Sequence, residues 1–386
     1  MSATVEQYLH VVHVGFQLDE QARRPTQLLQ DWWSLVSVAE ATAQAGLRVS
    51  VIQSCAHPDQ FTCNGVDYFF LAPEPRQSTI ARGTALLELL RDLKADVLHV
   101  HGLCFPAEML ALSRLAPDTP ILAQDHASTV PRIWRRYAWR RGLAAVSGIA
   151  FCSLEQARPF VKAGLIGPQT LLYAIPECPS RFTPGDQQEA RRATGLHGDP
   201  CLLWVGHLNS NKDPLTVLNG VSQAMRQWPA LQLWCCFASA PLLSEVQHRI
   251  AADPGLAQHV HLLGRQSHER IELLMRAADI FVLGSHREGC GYALIEALAC
   301  GLPPVVSDIP SFRALTGGGK VGRLWPCDDA ERLCAGLLAT AAGPRSEQRA
   351  AARAHYEDEV SFRSVGRKLN SAYRSLLEPK RTRRHG

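Results

Sequence analysis

Two glutamates, Glu288 and Glu296, flank a Gly289-Cys290-Gly291 turn in a Glu-x7-Glu spacing. The surrounding ADIFVLGSHREGCGYALIEALACGLPPVVSD segment reads as strand, loop, helix and strand, with the helix opening at Gly291, stopping at Gly301 and closed off by Pro303. A helix that starts directly after a glycine turn aims N–H groups and the positive end of its dipole at that turn, which suits a phosphate. Carboxylates accept hydrogen bonds from sugar hydroxyls, so glutamates on either side of a diphosphate suit a ribose and a hexose. Taken singly, each residue has a blander reading. At about 100° per residue, Leu294, Ile295 and Leu298 form the apolar arc and Glu296 points away from its centre, as on a solvated face. Glu288 then reads as an ordinary loop charge.

Other chemistries fit the sequence less well. Gly289-x-Gly291 after a strand, with Asp308 ending the next strand, partly matches a dinucleotide-binding fingerprint and so suggests an NAD-linked oxidoreductase; Leu294, however, stands at the third glycine position, where close helix–strand packing needs a glycine. A glycosidase using the two glutamates would need no phosphate cradle. Gly317-Gly318-Gly319-Lys320 fails as a P-loop, because Ala314 stands where its first glycine belongs and Val321 where Ser or Thr belongs, and it reads as a turn. No Asp-x-Asp pair is present to hold a divalent ion on a nucleotide diphosphate, so no metal is expected. The 12 cysteines are scattered, without CxxC or zinc-type spacing, and read as reduced core residues.

The elements that position these residues are legible as short apolar runs spaced by amphipathic stretches. LHVVHVGF, VSVIQS, DVLHVHG, PILAQ and GIAFCS fill the first half, and CLLWVG, LQLWCCFA, HVHLLG, DIFVLGS and PPVVSD fill the second. That alternation predicts an α/β fold: two Rossmann-like doubly wound domains facing across a cleft, each a mostly parallel sheet covered by helices. The expected boundaries are an N-terminal domain over 1–175, a Pro- and Gly-dense linker over 176–200, a second domain over 201–344, a C-terminal helix over 345–378 packing back toward the first domain, and a basic tail over 379–386. Ligands of such sheets bind outside the carboxyl ends of the strands.

Composition agrees with a globular enzyme of this size. The 386 residues are 46% hydrophobic and 20% charged, which excludes disorder, collagen and coiled coil. The net charge of +4 is matched by Lys380, Arg381, Arg383 and Arg384 in the tail, and the balanced remainder is unlike a nucleic-acid-binding protein. The N-terminus does not read as a signal peptide, and no apolar run reaches the roughly 18 residues of a membrane span. A cytoplasmic protein is expected.

On the residues above, the chain resembles the family 4 group of retaining glycosyltransferases with two Rossmann-like domains, the GT-B type. EGCGYALIEALACGLPPVVSD is similar to that family's donor-site motif. LLWVGHLNSNKDPLTVL is similar to its diphosphate-holding strand, turn and helix, with Gly206 at the turn, and HVHLLGRQSHERIELLMRAAD is similar to the segment that receives the nucleotide base near Gly264 and Arg265. The likeness is strong over 200–340 and diffuse over 1–175. It implies a UDP- or GDP-sugar as substrate, an acceptor that is a glycan, a lipid-linked glycan or a small molecule, and no cofactor. It further implies that Lys212 neutralises the diphosphate, that Glu296 binds the ribose and Glu288 the transferred sugar, and that Gly289, Cys290, Gly291 and Tyr292 line the donor. His126 would reach the sugar from the first domain.

Several positions depart from the family pattern. His207 stands where an arginine usually follows the turn glycine, Cys290 where an aromatic is common, and Glu177-Cys178 where Asn-Gly is frequent; the first loop, GFQLDEQARRPTQ, lacks a Gly-Gly pair. These leave a non-catalytic nucleotide-sugar-binding homologue as the second reading. Residues 131–141, PRIWRRYAWRR, predict a helix that carries five arginines beside Trp134, Tyr137 and Trp139. Such a face suits peripheral contact with an anionic inner membrane surface, aided by the basic tail. The plainer reading is a solvated Arg-rich helix with its aromatics against the sheet.

Overall fold

The computed structural model describes residues 8–378. The basic tail at 380–384 lies outside the described residues. The chain divides into two compact units, with boundaries at Pro179/Ser180 and Ser361/Phe362, so the last helix belongs to the first unit.

The first unit is built on eight strands: β1 (His10–Gly15), β2 (Arg48–Ser54), β3 (Asp59–Cys63), β4 (Val66–Leu71), β5 (Val97–His101), β6 (Ile121–Gln124), β7 (Gly148–Phe151) and β8 (Leu171–Ala174). They lie in the order β3-β4-β2-β1-β5-β6-β7-β8, all parallel except β3, which runs antiparallel to β4. Alternate residues serve two cores. Val12, Val14, Leu98 and Val100 pack with Met109, Leu112 and Leu143 on one face. Val11, Val49, Val97 and Leu122 pack with Val38, Val365, Leu369 and Tyr373 on the other. The run-based reading of five strands misses β3, β4 and the half-exposed β8. The β3–β4 hairpin does have a local signal: Asn64 and Gly65 both adopt positive φ, 50° and 78°, as a two-residue hairpin turn requires.

The second unit carries β9 (Cys201–Val205), β10 (Gln232–Cys236), β11 (Val260–Gly264), β12 (Ile280–Leu283), β13 (Pro304–Ser307) and β14 (Arg323–Trp325). Their order, β11-β10-β9-β12-β13-β14, is wholly parallel and is that of a dinucleotide-fold sheet. β14, three residues long, is too short to read as a run. Gly317, Gly318 and Gly319 all have positive φ and form a turn after the helix Pro310–Leu315, in agreement with the sequence reading.

Two expected boundaries are corrected. Residues 176–200 are not linker throughout: Asp186 caps a helix, Gln187–Thr194, that Gly195 ends with φ 79°, and this helix packs on His268–Ala277 within the second unit. The helix expected over 345–378 is two, Arg345–Glu359 and Phe362–Leu377. Ser361 causes the break, its N–H turning back to the Tyr356 carbonyl (2.8 Å) and its hydroxyl to that of Glu357 (2.7 Å). The first of the two helices packs on Tyr292–Ala299 in the second unit; the other packs on Trp33–Gln44 in the first, where a Cβ on Gly366 would strike the Ala41 carbonyl. All twelve cysteines are free and most are buried. Among the described residues no helix is long and apolar enough to cross a membrane.

Candidate active site

In the second sheet β9 and β12 are neighbours, yet the connections leave them toward opposite edges, so their following loops part and form a crevice at the strand ends. The loop after β9 runs to Asp213, whose carboxylate accepts the Thr216 N–H at 3.2 Å and starts the helix Pro214–Met225. The loop after β12 runs to Gly291 and the helix Tyr292–Ala299. Two hydrogen bonds tie the two loops together: the His286 N–H donates to the Asn211 carbonyl at 2.8 Å, and the Asn211 side chain donates to the Arg287 carbonyl at 2.9 Å. Across this tie the Lys212 ammonium pairs with a Glu288 carboxylate oxygen, both side chains being largely buried. The structure therefore joins the cation and the glutamate that sequence reasoning treats as separate donor contacts.

The glycines here have a steric cause. Gly291 sits at φ 100°, and a Cβ on it would lie 2.6 Å from a ring carbon of Phe312. Only glycine satisfies both conditions. Gly206 ends β9 against Leu283 and accepts the Trp204 indole N–H at 3.0 Å. Next to it, His207 Nδ1 accepts the Ser239 N–H at 3.2 Å, so a neutral His207 carries its proton on Nε2. It offers one donor where an arginine would offer a fork. Gly264 closes β11 at φ 65° and Arg265 is exposed directly after it. Gly289 and Cys290 are buried, and Tyr292, half-buried, opens the helix.

Glu296 departs from the solvated-face reading. It is 5% exposed, because the helix Tyr292–Ala299 is covered by neighbouring helices as well as by β13, and every residue from Leu294 to Ala299 is buried. Its Oε1 accepts a hydrogen bond from His268 Nε2 at 2.7 Å. Burial pushes the Glu296 carboxyl up, opposed by His268. The hydrogen bond to Glu296 in turn raises His268, against partial burial. Phe182 flanks the imidazole with ring centroids 4.5 Å apart.

In the first unit His126 follows β6. Its Nδ1 donates to Glu177 Oε2 at 2.9 Å and its Nε2 faces His101 Nδ1 at 3.2 Å. Burial lowers its basicity, but the Glu177 hydrogen bond and the charges of Glu177 and Asp125 together outweigh burial, and its pKa is raised. A sugar hydroxyl would have to compete with His101 for Nε2. The 131–141 segment is a 3-10 turn, Ile133–Arg135, followed by a helix, Arg136–Leu143. Of its aromatics only Trp139 is buried, against Phe160. Ile133, Trp134 and Tyr137 are 75%, 70% and 72% exposed, with Arg132 over the Trp134 ring and Arg141 over that of Tyr137. The expectation that the aromatics face the sheet therefore holds for one of three.

Sequence reasoning missed Glu177, His268 and Asn211 as partners. Glu177 is visible in sequence only as a departure from the family pattern; His268 and Asn211 carry no local signal beyond lying in the quoted donor-site segments.

Two doubly wound sheets, with a Lys212–Glu288 pair where the second reverses its strand order, are the architecture of a glycosyltransferase of the GT-B type. Residues 186–356 match the profile of glycosyl transferases group 1 and residues 33–168 that of glycosyltransferase family 4. The chain belongs to the family 4 glycosyltransferases. It is 27% identical over 245 residues to the GDP-mannose:cellobiosyl-diphosphopolyprenol alpha-mannosyltransferase of Xanthomonas oryzae, a stretch covering 62% of each chain. It is 30% identical over 151 residues to the D-inositol 3-phosphate glycosyltransferase of Nocardia farcinica, covering 38% of this chain and 34% of that one. The chain thus spans less than two thirds of the relatives it matches. Among solved structures, a glycosyltransferase of Rickettsia africae superposes with TM-score 0.74 at 13% identity, covering 97% of this chain and 100% of that one. Anabaena HepE in complex with UDP does so with TM-score 0.70 at 15% identity, covering 95% and 100%.

Proposed function

We propose that the protein transfers a sugar from a UDP- or GDP-sugar to a hydroxyl of a glycan, lipid-linked glycan or small-molecule acceptor, with retention of anomeric configuration and without a metal on the diphosphate. The observation that carries this reading is the Lys212–Glu288 pair at the β9/β12 switch point. As the bond from the anomeric carbon to the diphosphate breaks and one to the acceptor oxygen forms, charge grows on the leaving group, whose oxygen takes the proton that the acceptor hydroxyl gives up. Lys212 and the first turn of Tyr292–Ala299 stabilise that charge. The incoming diphosphate competes with Glu288 for the ammonium and frees a carboxylate oxygen for a sugar hydroxyl. Glu296, oriented by His268, takes the ribose, and His126 serves the transferred sugar.

The Xanthomonas relative is named for GDP-mannose and a diphosphopolyprenol-linked acceptor, which favours including both in any survey. A lipid-linked acceptor would be met on the cytoplasmic membrane face, and the exposed Trp134 and Tyr137 among arginines fit such a surface. The deciding experiment measures nucleoside diphosphate release from UDP-, GDP- and ADP-sugars with EDTA present. Release from at least one donor is expected. Binding without turnover across donors and acceptors would favour the non-catalytic homologue, and activity lost in EDTA but restored by magnesium or manganese, and not by zinc, would overturn the absence of a metal on the diphosphate.

A further inference from the structure

Three histidines of the first unit are unused by sugar transfer as proposed. His13 on β1 lies directly opposite His99 on β5, and His101 is two residues further along β5, so all three project from one sheet face. His13 and His99 are fully buried and His101 partly so. The ring centroids of His13 and His99 are 4.6 Å apart, those of His99 and His101 4.6 Å, and those of His13 and His101 5.2 Å. One ring nitrogen from each lies within 4.8 Å of the other two.

Their hydrogen bonds are incomplete in a particular way. His99 Nδ1 meets the Tyr373 hydroxyl at 2.7 Å, His101 Nδ1 meets His126 Nε2 at 3.2 Å, and His13 Nδ1 meets His101 Nε2 at 3.0 Å. His13 Nε2 is buried without a hydrogen-bond partner, whereas the Gln124 side chain, beside His101 in the strand register, reaches the His99 ring. Buried polar atoms left unpaired are rare in folded proteins and call for an occupant.

We propose that His13, His99 and His101 form a binding site for one divalent transition-metal ion of the zinc type. Three imidazoles without a carboxylate suit zinc and its first-row neighbours rather than magnesium or calcium. Tyr373 behind His99 supplies an outer hydrogen bond of the kind that orients a metal-bound imidazole. The ion would clamp β1 to β5 where the first sheet reverses its strand order, and its fourth position would remain for water or a hydroxyl.

The test uses the full chain, stripped with chelator and titrated with zinc chloride by calorimetry, followed by X-ray absorption on the complex holding one equivalent. One tight equivalent is expected, with nitrogen ligands and imidazole outer-shell scattering. His101→Gln, at the partly exposed edge, and His13→Gln, checked for folding by circular dichroism, should each weaken binding at least tenfold. His286→Ala, which disrupts the other possible ligand group of Asp213, His286 and Asp328, should leave the affinity unchanged. Absence of tight zinc binding, sulfur in the first shell, full affinity in a folded His101→Gln variant, or loss in His286→Ala would each overturn the proposal.

Discussion

Glu177 Oε2 accepts a hydrogen bond from His126 Nδ1 at 2.9 Å, across 51 residues of sequence. The contact joins the loop after β6 to the segment after β8 and fixes which imidazole nitrogen is left for other partners. The glutamate that departs from the family pattern thus sets the charge and orientation of the histidine that matches it.

This pair predicts a pH effect. Because the folded pKa of His126 is raised, the stability it contributes is fully present below its unfolded value of about 6.5 and is lost as pH rises through the folded value. Wild type should therefore exceed Glu177→Gln in melting temperature by more at about pH 6 than at about pH 9. A difference that stays constant across that range would show that Glu177 acts by packing alone.

Lys212 and Glu288 should behave as one unit in catalysis. Lys212→Ala and Glu288→Ala are each expected to lower turnover by roughly tenfold or more, and the double variant by little beyond the worse single change. Because both side chains are largely buried, each single variant also leaves a charge without its partner and should melt a few degrees lower than wild type. Steady-state nucleoside diphosphate release with parallel thermal melts measures both. Strictly multiplicative losses in turnover would mean that the two residues act independently.

The parallel strands and the helix Tyr292–Ala299 were legible because apolar runs and glycine punctuation are local signals. Burial of Glu296 was not. Its helix reads as one-sided by periodicity, and it became buried because the helices His268–Ala277 and Arg345–Glu359 both pack on it, His268 touching Glu296 itself. The Lys212–Glu288 pair was hidden for a similar reason: only the pairing of β9 with β12 brings loops 76 residues apart together. The histidine row was available in principle, since His99-Val100-His101 on a strand must share a face, but its closure by His13 depends on the β1–β5 register. Contacts set by strand order escape a reading made along the chain.

Glu296→Gln should act on nucleotide binding more than on the chemical step. Loss of the carboxylate charge weakens the hydrogen bond that holds His268 and the acceptor proposed for the ribose, so affinity for the nucleoside diphosphate should fall roughly tenfold while saturated turnover changes less. Calorimetric titration with UDP and GDP, set beside kcat, separates the two. A fall in kcat at unchanged affinity would move Glu296 from the nucleotide to the transferred sugar.

Gly291→Ala tests the turn itself. The left-handed backbone costs a non-glycine residue about 1–2 kcal/mol, and the contact with Phe312 adds to that. A lowered melting temperature and weakened donor binding are expected together. Adding Phe312→Leu should recover part of the stability by removing the clash while the φ strain remains. No recovery at all would place the whole cost in the backbone.

The exposed face of the first unit gives the last prediction. Ile133, Trp134 and Tyr137 are more than two-thirds exposed and stand among Arg132, Arg135, Arg136, Arg140 and Arg141, so apolar side chains and cationic charge share one short segment. At a lipid surface the aromatics would enter the interfacial layer while the arginines meet anionic headgroups, and neither contribution alone would hold the protein there. Co-sedimentation with vesicles containing phosphatidylglycerol should therefore exceed that with neutral phosphatidylcholine vesicles and weaken as salt shortens the screening length. Trp134→Ser with Tyr137→Ser should reduce binding at every salt concentration. Arg135→Ser with Arg136→Ser should reduce it mainly at low salt, where the charge contribution is largest. Equal sedimentation of both variants and wild type would leave this segment an ordinary solvated surface and would remove the membrane from the acceptor assignment.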